Sequence, residues 1–423
     1  MTTTNHQTLT PLPLMRLSTG FWSFKTFAAA LELSLFTRLA DGRTMSATEA
    51  SAELGLPHRP ADLLLAACAS LGLLEKRGDG YGNTALAEKF LVEGRPYYFG
   101  GFVRYCDKRE YPAWDRVVEA LRTDKPTAWD PEAQDSPFAA EDSQMLQLFW
   151  DAMHCISTFT ARALGEVYDF GKHARLLDVG GGSGAFPIEL CRHYPNLSAT
   201  VYDLPHVCSI ADSKIADAGL SGRVTTVAGD FLRDTELPAG YDVILYSMIM
   251  HDWGEDTDRE LLARAYEALA PGGVVIISEL VLNAERTGPA EAALMGMNML
   301  IETRAGKNYS ESEYVTWLQD AKFSDIRTLP FVAAGANGVI IGVKERPINQ
   351  GARELGMSHE TRRNGIRAGE RQTGAGSAAS GSGFSVADKD AEIARLLREV
   401  AELRQEKEIL RTAAAYFAKE MDR

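Results

Sequence analysis

The feature that most constrains the fold is an alternation of apolar runs and amphipathic stretches between Ala174 and Val343. Seven apolar runs are predicted strands, namely Arg175–Val179, Ala199–Asp203, Val224–Ala228, Asp242–Tyr246, Val274–Ser278, Asp325–Leu329 and Gly338–Val343. Helices fit between most of them, for example Phe186–His193 and Asp256–Ala270. This alternation predicts an α/β fold, with a mostly parallel sheet covered by helices on both faces. The last two strands have no helix between them, so we expect that pair to be antiparallel.

A glycine-rich loop, Asp178-Val-Gly-Gly-Gly-Ser-Gly184, joins the first strand to a helix. Glycines at 180 and 182 let the chain turn tightly and admit a ligand against the backbone, and the helix N-terminus adds a positive dipole. The loop alone is a weak signal, because Gly180-x-Gly182-x-x-Ala185 also fits a dinucleotide-binding loop.

Carboxylates follow two further strand ends. Asp203 ends the second strand, where a carboxylate can accept both hydroxyls of a ribose. Gly229-Asp230-Phe231 follows the third strand and offers an acceptor for an adenine amino group beside a ring for stacking. Together with the loop, these residues predict an adenosine-containing ligand. The acidic Asp178 suits a cofactor with an amino group better than one with a pyrophosphate. This favours a methyl donor over a nicotinamide cofactor, and a nicotinamide-dependent oxidoreductase is the alternative.

A histidine motif, Met250-His251-Asp252-Trp253, follows the fourth strand on the edge where such sheets bind ligands. Histidine titrates near neutral pH and can take a proton from a phenolic hydroxyl. Glu279 ends the next strand, and neighbouring strands lie about 5 Å apart. We therefore predict that His251 is a general base and that Glu279 orients it.

On these motifs, residues from about 15 to 344 resemble the S-adenosylmethionine-dependent small-molecule O-methyltransferases, which include plant caffeate methyltransferases and bacterial antibiotic-tailoring enzymes. The shared segments are Asp178-Val-Gly-Gly-Gly-Ser-Gly184, Asp203-Leu-Pro-His206, Gly229-Asp-Phe231, His251-Asp-Trp253 and Gly306-Lys307. The resemblance implies a class I methyltransferase domain with a Rossmann-like, seven-stranded sheet, preceded by a winged-helix dimerisation domain, and hence a homodimer.

The resemblance also assigns site residues. It implies that S-adenosyl-L-methionine is the cofactor, contacted by Gly180, Asp203, Asp230 and Phe231, with Ser247 at a further donor-contact position. Asp178, Gly182 and Leu204 complete the predicted donor site.

One departure concerns Asn308. The family often has Gly-Lys-Glu-Arg-Thr where this chain has Gly306-Lys-Asn-Tyr-Ser310, so Asn308 replaces a second carboxylate that flanks the histidine. An amide can hold the ring by a hydrogen bond but cannot stabilise its positive charge. Asn308 remains a predicted catalytic residue, and carbon methylation or catalysis by proximity alone stays open.

Residues 1–95 predict a helical domain with a small wing. Phe24–Leu39 is apolar at helical spacing, Ser46-Ala-Thr-Glu49 has the form of a capping box, and Gly55 ends the helix that follows. Pro60–Leu71 is the next predicted helix, and the strands Leu73–Lys76 and Gly80–Thr84 form the wing. Few basic residues lie on Pro60–Leu71, which favours a dimerisation scaffold over DNA binding.

Residues 96–170 predict a helical, aromatic-rich connector that contributes to a substrate pocket. The candidate pocket residues are Phe102, Tyr105, Phe149 and Met153 from this segment, with Asp252 and Asn298 from the domain at residues 171–345.

Charge and cysteine content limit the partners. The net charge is −14, and the excess of acidic residues lies before Arg346, which argues against nucleic acid as a partner. The five cysteines include no CxxC pair, so we predict no metal site and a reducing, cytoplasmic compartment. No apolar run is long enough to span a membrane.

Residues 346–423 form an extension of different composition. Arg362, Arg363 and Arg367 lie in what looks like half of a helix-turn-helix, Thr373–Gly383 is a predicted flexible linker, and Asp388–Phe417 carries a short coiled-coil heptad pattern. The extension resembles part of the small DNA-binding subunit of an insertion-sequence transposase. Two interpretations of the extension are open. It is either a degraded fusion from an inserted element or an appendix that oligomerises the chain or binds DNA.

The sequence as a whole therefore predicts a cytoplasmic, homodimeric O-methyltransferase that acts on a hydroxyl of a small aromatic secondary metabolite. A carbon methyltransferase on the same scaffold and a non-enzymatic DNA-binding regulator are the alternatives.

Overall fold

A computed structural model describes residues 9–133 and 143–346 of the chain. The predicted helix-turn-helix, linker and coiled coil of the C-terminal extension lie outside the described residues.

The N-terminal part packs short helices around a small antiparallel sheet. Its helices are α1 Leu12–Ser18, α2 Gly20–Glu32, α3 Leu35–Arg38, α4 Ala47–Leu54, α5 His58–Ser70 and α6 Ala85–Phe90. Its strands are β1 Thr44–Met45, β2 Leu74–Arg77 and β3 Gly80–Asn83, in the order β1-β3-β2. The predicted capping box is present at the start of α4, where the Ser46 hydroxyl accepts a hydrogen bond from the amide of Glu49. The predicted wing is the hairpin β2–β3.

The prediction of one helix over Phe24–Leu39 was wrong. Helix α2 ends at Glu32, and Ser34 takes a left-handed conformation with φ 55° before α3 begins. The break turns Leu35 and Phe36 into the core, where both are fully buried. Apolar spacing could not indicate this break, because the two helices bury the same kind of side chain.

The connector is helical, as predicted, and contains one irregular turn. Its elements are α7 Gly100–Tyr105, a π-helical turn Cys106–Glu110, α8 Tyr111–Trp114, α9 Val117–Thr123 and the long helix α10 Ser143–Val167. Helix α10 packs on both α7 and α11, the first helix of the following α/β part, so the connector forms a wall beside the sheet. π-Helical turns occur frequently at functional sites.

The α/β part contains a seven-stranded sheet in the order β6-β5-β4-β7-β8-β10-β9. The strands are β4 Arg175–Val179, β5 Ser198–Asp203, β6 Val224–Ala228, β7 Tyr241–Ser247, β8 Leu269–Glu279, β9 Ser324–Pro330 and β10 Gly338–Val343. Pairing is parallel from β6 to β8, and β10 is antiparallel to both β8 and β9. The predicted α/β class, parallel sheet and antiparallel final pair are confirmed.

Helices cover both faces of this sheet. They are α11 Ala185–His193, α12 Pro205–Asp217, α13 Glu255–Ala268 and α15 Glu311–Asp320. A further helix, α14 Ala290–Glu302, packs instead on α9 and on the turn Met250–Asp252. Residues of α10, α11 and α12 pack on one face, and residues of α13 and α15 pack on the other. Because both faces are covered, neighbouring residues such as Leu176 and Leu177 are both fully buried. No helix in residues 9–133 or 143–346 is long and apolar enough to cross a bilayer.

Candidate active site

A large cavity of about 1460 Å³ lies beyond the carboxyl ends of β4, β5, β6 and β7. Its wall includes the glycine loop, the ends of these strands, the histidine motif, the connector and helix α14. This is the position expected for the ligand site of an open α/β sheet. We call the part near the glycine loop the donor end and the part near the connector and α14 the acceptor end, after the ligands that the sequence predicts there.

The glycine loop requires its glycines. Gly180 and Gly182 have φ values of 67° and 56°, a conformation that side chains disfavour. A Cβ on Gly180 would lie 2.6 Å from a methyl carbon of Ile249, and one on Gly182 would lie 2.5 Å from the ring of Trp150. The backbone can therefore approach a ligand closely, and α11 begins directly after the loop with its N-terminus near the cavity.

Asp203 lies at the rim of the donor end and is buried. Its Oδ2 accepts a hydrogen bond from the amide of Gly182 at 2.8 Å, and its Oδ1 accepts one from the amide of Leu204 at 2.7 Å. Burial raises the pKa of Asp203 to about 6, although these two amides oppose the shift. The carboxylate is thus fixed in place, and lone pairs remain on both oxygens for ribose hydroxyls.

Asp178 lies behind the glycine loop and is fully buried. Neither of its carboxylate oxygens has a hydrogen-bond partner among the described residues. Burial, with a further contribution from Asp203, raises the pKa of Asp178 well above its ordinary value. Asp178 does not belong to the cavity wall among the described residues, and a Cβ on Gly181 would lie 2.5 Å from its Oδ2. The carboxylate therefore packs against the loop from behind, and its contact with a donor stays a prediction.

Apart from Asp178, the remaining predicted donor residues line the cavity. They are Leu204, Asp230, Phe231 and Ser247. The Phe231 ring lies edge-on to Trp253, with centroids 5.9 Å apart, and Oδ1 of Asp230 accepts a hydrogen bond from the amide of Leu232. A half-buried ring beside a carboxylate suits an adenine base, so the residues present fit the methyl donor that the sequence predicts.

His251 and Glu279 form a buried pair, as predicted. The imidazole Nδ1 lies 2.7 Å from Oε2 of Glu279, and the other oxygen, Oε1, accepts hydrogen bonds from the amides of Ile249 and Met250 at 3.0 Å. Glu279 is fully buried, whereas His251 lines the cavity. With Nδ1 protonated toward Glu279, the neutral ring keeps Nε2 as a proton acceptor.

The electrostatics of this pair favour a strong base. Burial lowers the pKa of His251, but the carboxylates of Glu279 and Asp252 outweigh that effect and raise it to about 9. Burial raises the pKa of Asp252 to about 6, against the opposing effect of His251. Oδ1 of Asp252 lies 3.6 Å from Nε2 of His251, and both side chains line the cavity.

Asn308 is buried and does not belong to the cavity wall among the described residues. Its Nδ2 donates a hydrogen bond to the carbonyl of Leu280 at 2.6 Å, and its Oδ1 has no partner among the described residues. No hydrogen bond joins Asn308 to His251 within the described part of the chain. Its amide therefore holds the chain after β8, and the imidazole relies on Glu279.

The acceptor end contains all six predicted pocket residues, which are Phe102, Tyr105, Phe149, Met153, Asp252 and Asn298. The rings of Tyr105 and Phe149 pack edge to face, with centroids 5.6 Å apart. Other residues that line this end were not predicted from the sequence, including Arg109, Trp114, Trp129 and Glu302. The aromatic ones belong to the aromatic-rich connector and could have been included on that basis.

Arg109 and Glu302 form an ion pair in the acceptor end that no motif indicated. The side chains are only 15% and 10% exposed, and Arg109 also donates a hydrogen bond to the Tyr105 hydroxyl. Burial raises the pKa of Glu302 to about 7, although Arg109 opposes the shift. Asn298 joins the same wall, because its Oδ1 accepts from Trp114 and its Nδ2 donates to Glu110.

Comparison with protein families gives two matches. The profile of an O-methyltransferase dimerisation domain matches residues 15–93, and that of an O-methyltransferase domain matches residues 114–324. The chain is 48% identical over 334 residues to 3-hydroxy-5-methyl-1-naphthoate 3-O-methyltransferase of Streptomyces sahachiroi, covering 79% of this chain and 95% of that protein.

Two further relatives agree with these matches. The chain is 32% identical to the tetracenomycin polyketide synthesis 8-O-methyl transferase TcmO of Streptomyces glaucescens, over 79% of this chain and 97% of the relative. The crystal structure of human N-acetylserotonin methyltransferase in complex with SAM superposes with a TM-score of 0.70 at 26% identity, covering 82% of this chain and all of that one. With the donor-site geometry, these findings establish that the chain belongs to the S-adenosylmethionine-dependent O-methyltransferase family.

Proposed function

We propose that this enzyme methylates a hydroxyl of a small, fused-ring aromatic acid of the hydroxynaphthoate type, with His251 as the general base. The observation that carries the proposal is the buried His251–Glu279 pair, whose imidazole lines the cavity while its Nδ1 lies 2.7 Å from the carboxylate. A relative named for a naphthoate acceptor, at 48% identity, supports this acceptor class.

The proposed mechanism uses this chain's residues to orient the acceptor and move one proton. S-Adenosylmethionine, when bound, supplies an electrophilic methyl group on a sulfonium. Asp203, Asp230 and Phe231 would hold the donor's adenosine part, and Asp178 would support the glycine loop from behind. The aromatic wall, with Tyr105 and Phe149, aligns the acceptor so that its oxygen meets the methyl group.

Proton transfer is assigned to Nε2 of His251. A phenol has a pKa near 10, similar to that of tyrosine, and the pKa of His251 is raised to about 9, so the two groups are closely matched. The imidazolium that forms lies between Glu279 and Asp252, which stabilise its charge. Asn308 contributes only by fixing the chain beneath the pair.

The test is methylation of 3-hydroxy-1-naphthoate by the purified enzyme, with the product's new methyl resonance identified by NMR. A methoxy resonance supports the proposal, whereas a C-methyl resonance would show carbon methylation. His251→Gln is expected to lower turnover by about 10²- to 10⁴-fold, the usual contribution of a general base, with unchanged binding of S-adenosylhomocysteine. His58→Gln, on an exposed position of α5, is the matched control. Turnover of His251→Gln within a few-fold of wild type would refute the base role.

We also propose that the enzyme is a homodimer. Large apolar side chains are exposed on α1 and the start of α2, namely Leu12, Leu14, Met15, Leu17, Phe21 and Trp22. Such a patch on a matched dimerisation domain fits burial against a second copy. Light scattering on the eluted protein should give twice the chain mass, and a Leu14→Glu/Leu17→Glu variant should give the single mass. A monomeric wild-type protein would contradict the proposal.

We assign the reaction to the cytoplasm, because all five cysteines are free and four of them are buried, which suits a reducing compartment. Localisation of a tagged copy in cell fractions tests this assignment.

A further inference from the structure

The acceptor end of the cavity holds one buried carboxylate that the proposed mechanism does not use. It belongs to Glu302, the last residue of α14. Its backbone is fixed from the connector side: Nε1 of Trp129 donates to the Glu302 carbonyl at 2.7 Å, and the amide of Thr127 donates to the carbonyl of Ile301 at 3.0 Å. The end of α14 is therefore held in place by one segment, Thr127–Trp129, that is distant from it in sequence.

Among the described residues, only one oxygen of this carboxylate has a hydrogen-bond partner. Oε2 accepts a hydrogen bond from Nη1 of Arg109, which also donates to the Tyr105 hydroxyl. Oε1 is shielded from solvent and has no hydrogen-bond partner in the part of the chain that the structure describes. Because buried polar atoms normally have partners, this oxygen is suited to accept a hydrogen bond from a group that enters the cavity.

The neighbouring side chains do not offer that hydrogen bond. The charged groups that act on Glu302 are Arg109, Glu110 and Asp252, and two of these three are themselves carboxylates. The Asn298 amide, on the same wall, donates to Glu110 and accepts from Trp114. Arg109 already balances the negative charge of Glu302, so a neutral donor suits the remaining oxygen better than a second cation.

Glu302 lies in the same cavity as His251, the residue proposed to deprotonate the reacting hydroxyl. Asp252, one of the carboxylates that act on Glu302, lies 3.6 Å from Nε2 of His251, and all three side chains line the same cavity. An aromatic acceptor with one hydroxyl at His251 would therefore extend its ring system along the wall that contains Glu302.

We propose that Oε1 of Glu302 accepts a hydrogen bond from a second hydroxyl of the acceptor, so that the preferred substrate is a dihydroxylated aromatic acid. Glu302 then determines specificity, and Arg109 is a positioning residue that fixes the carboxylate. The inference rests on the proposed function, because it requires that His251 deprotonates the first hydroxyl.

The test compares acceptors that differ only at the second group. The series is 3-hydroxy-1-naphthoate, its derivatives with a second hydroxyl at each other ring position, and the matching methoxy compounds. If the second hydroxyl donates a hydrogen bond to the charged Glu302, at least one dihydroxy compound should have a higher kcat/KM than the monohydroxy acceptor and than its own methoxy partner. The expected increase is about 10- to 100-fold.

Glu302→Gln provides the second readout. In this variant the amide oxygen can face Arg109, and the amide N–H then donates where the carboxylate accepted. The ratio of hydroxy to methoxy kcat/KM is therefore expected to fall to one or below. Glu311→Gln, at an exposed position at the start of α15 and outside the cavity wall, is the control and should leave that ratio unchanged.

The outcomes separate this inference from the proposed function. Methylation of 3-hydroxy-1-naphthoate with equal rates across the series, or an equal loss for all acceptors in Glu302→Gln, would overturn the role of Glu302 and leave the proposed function standing. If no member of the series is methylated while S-adenosylhomocysteine still binds, the proposed function and the inference both fail.

Discussion

The most informative perturbation is Glu279→Gln, which keeps the shape of a fully buried side chain and removes its charge. Oε1 of Glu279 accepts hydrogen bonds from the amides of Ile249, Met250 and His251, so the amide oxygen of Gln should occupy that position. The amide nitrogen would then face Nδ1 of His251. Because both groups cannot donate, the ring would place its proton on Nε2, where the neutral imidazole can no longer accept one.

The size of the expected decrease in kcat follows from the loss of the negative charge of Glu279. Glu279 is the strongest of the groups that raise the pKa of His251 to about 9, whereas burial lowers that pKa. Without the carboxylate, the pKa should fall below the ordinary value of about 6.5, a change of at least about 3 kcal/mol in the free energy of protonation. The wrong tautomer adds to this loss, and together they predict a decrease in kcat of about 10²- to 10⁴-fold.

The assay is a pH profile of kcat from pH 5 to 10. The base must be neutral, so the wild-type rate should rise with pH, with a midpoint near pH 9, and level off only above it. In Glu279→Gln the plateau should be lower, and the rising part should move to below pH 7. Two acceptors with different phenol pKa values distinguish the ionisation of the enzyme from that of the substrate. Glu267→Gln, at an exposed position of α13, serves as the control. An unchanged profile in Glu279→Gln would refute the reasoning.

Three further predictions concern donor binding and stability. Asp203→Asn should weaken binding of S-adenosylhomocysteine about 10- to 100-fold in calorimetry, whereas Asp212→Asn on the exposed face of α12 should not; equal constants would contradict the ribose contact. Gly182→Ala should weaken the same binding because its Cβ would lie 2.5 Å from Trp150, and Trp150→Leu should restore part of it; wild-type affinity in Gly182→Ala would refute the clash. Asp258→Asn should raise Tm, and more at pH 8 than at pH 5. Burial raises the pKa of Asp258 to about 10, so the wild-type folded state loses stability as the pH rises between about 4 and 10. An unchanged Tm at pH 8 would contradict a buried acid at this position.

The sheet, and the meeting of its strand-end residues at one edge, could be predicted from the sequence for physical reasons. A parallel strand covered on both faces is a continuous apolar run, so runs such as Arg175–Val179 are easily recognised. The carboxyl ends of these strands meet at one edge, which brings Gly180, Asp203 and His251 together although they are distant in the chain. Residues that directly follow a strand can therefore be placed by counting strands.

Other features depend on packing that no local pattern records. Strand β10 lies between β8 and β9 in the sheet. The apolar pattern of β10 would be the same whether β10 or β9 paired with β8, so the sequence does not indicate this order. The break after α2 is similar, because a serine at φ 55° replaces the glycine that usually marks such a turn. Asn308 was placed beside His251 by resemblance, whereas its side chain bonds to the carbonyl of Leu280.

The contacts at the acceptor end explain why the sequence indicates the type of reaction but not the substrate. Arg109 and Glu302 are 193 residues apart, and each follows a stretch with no motif, so their pairing arises only when the connector packs on α14. In this chain the residues predicted to hold the donor follow strands directly, so the order of the strands brings them to one edge. The residues at the acceptor end lie on helices and connecting segments, whose packing no local pattern records. Specificity in this enzyme is therefore expected to follow residues such as Glu302, while the chemistry follows His251 and Glu279.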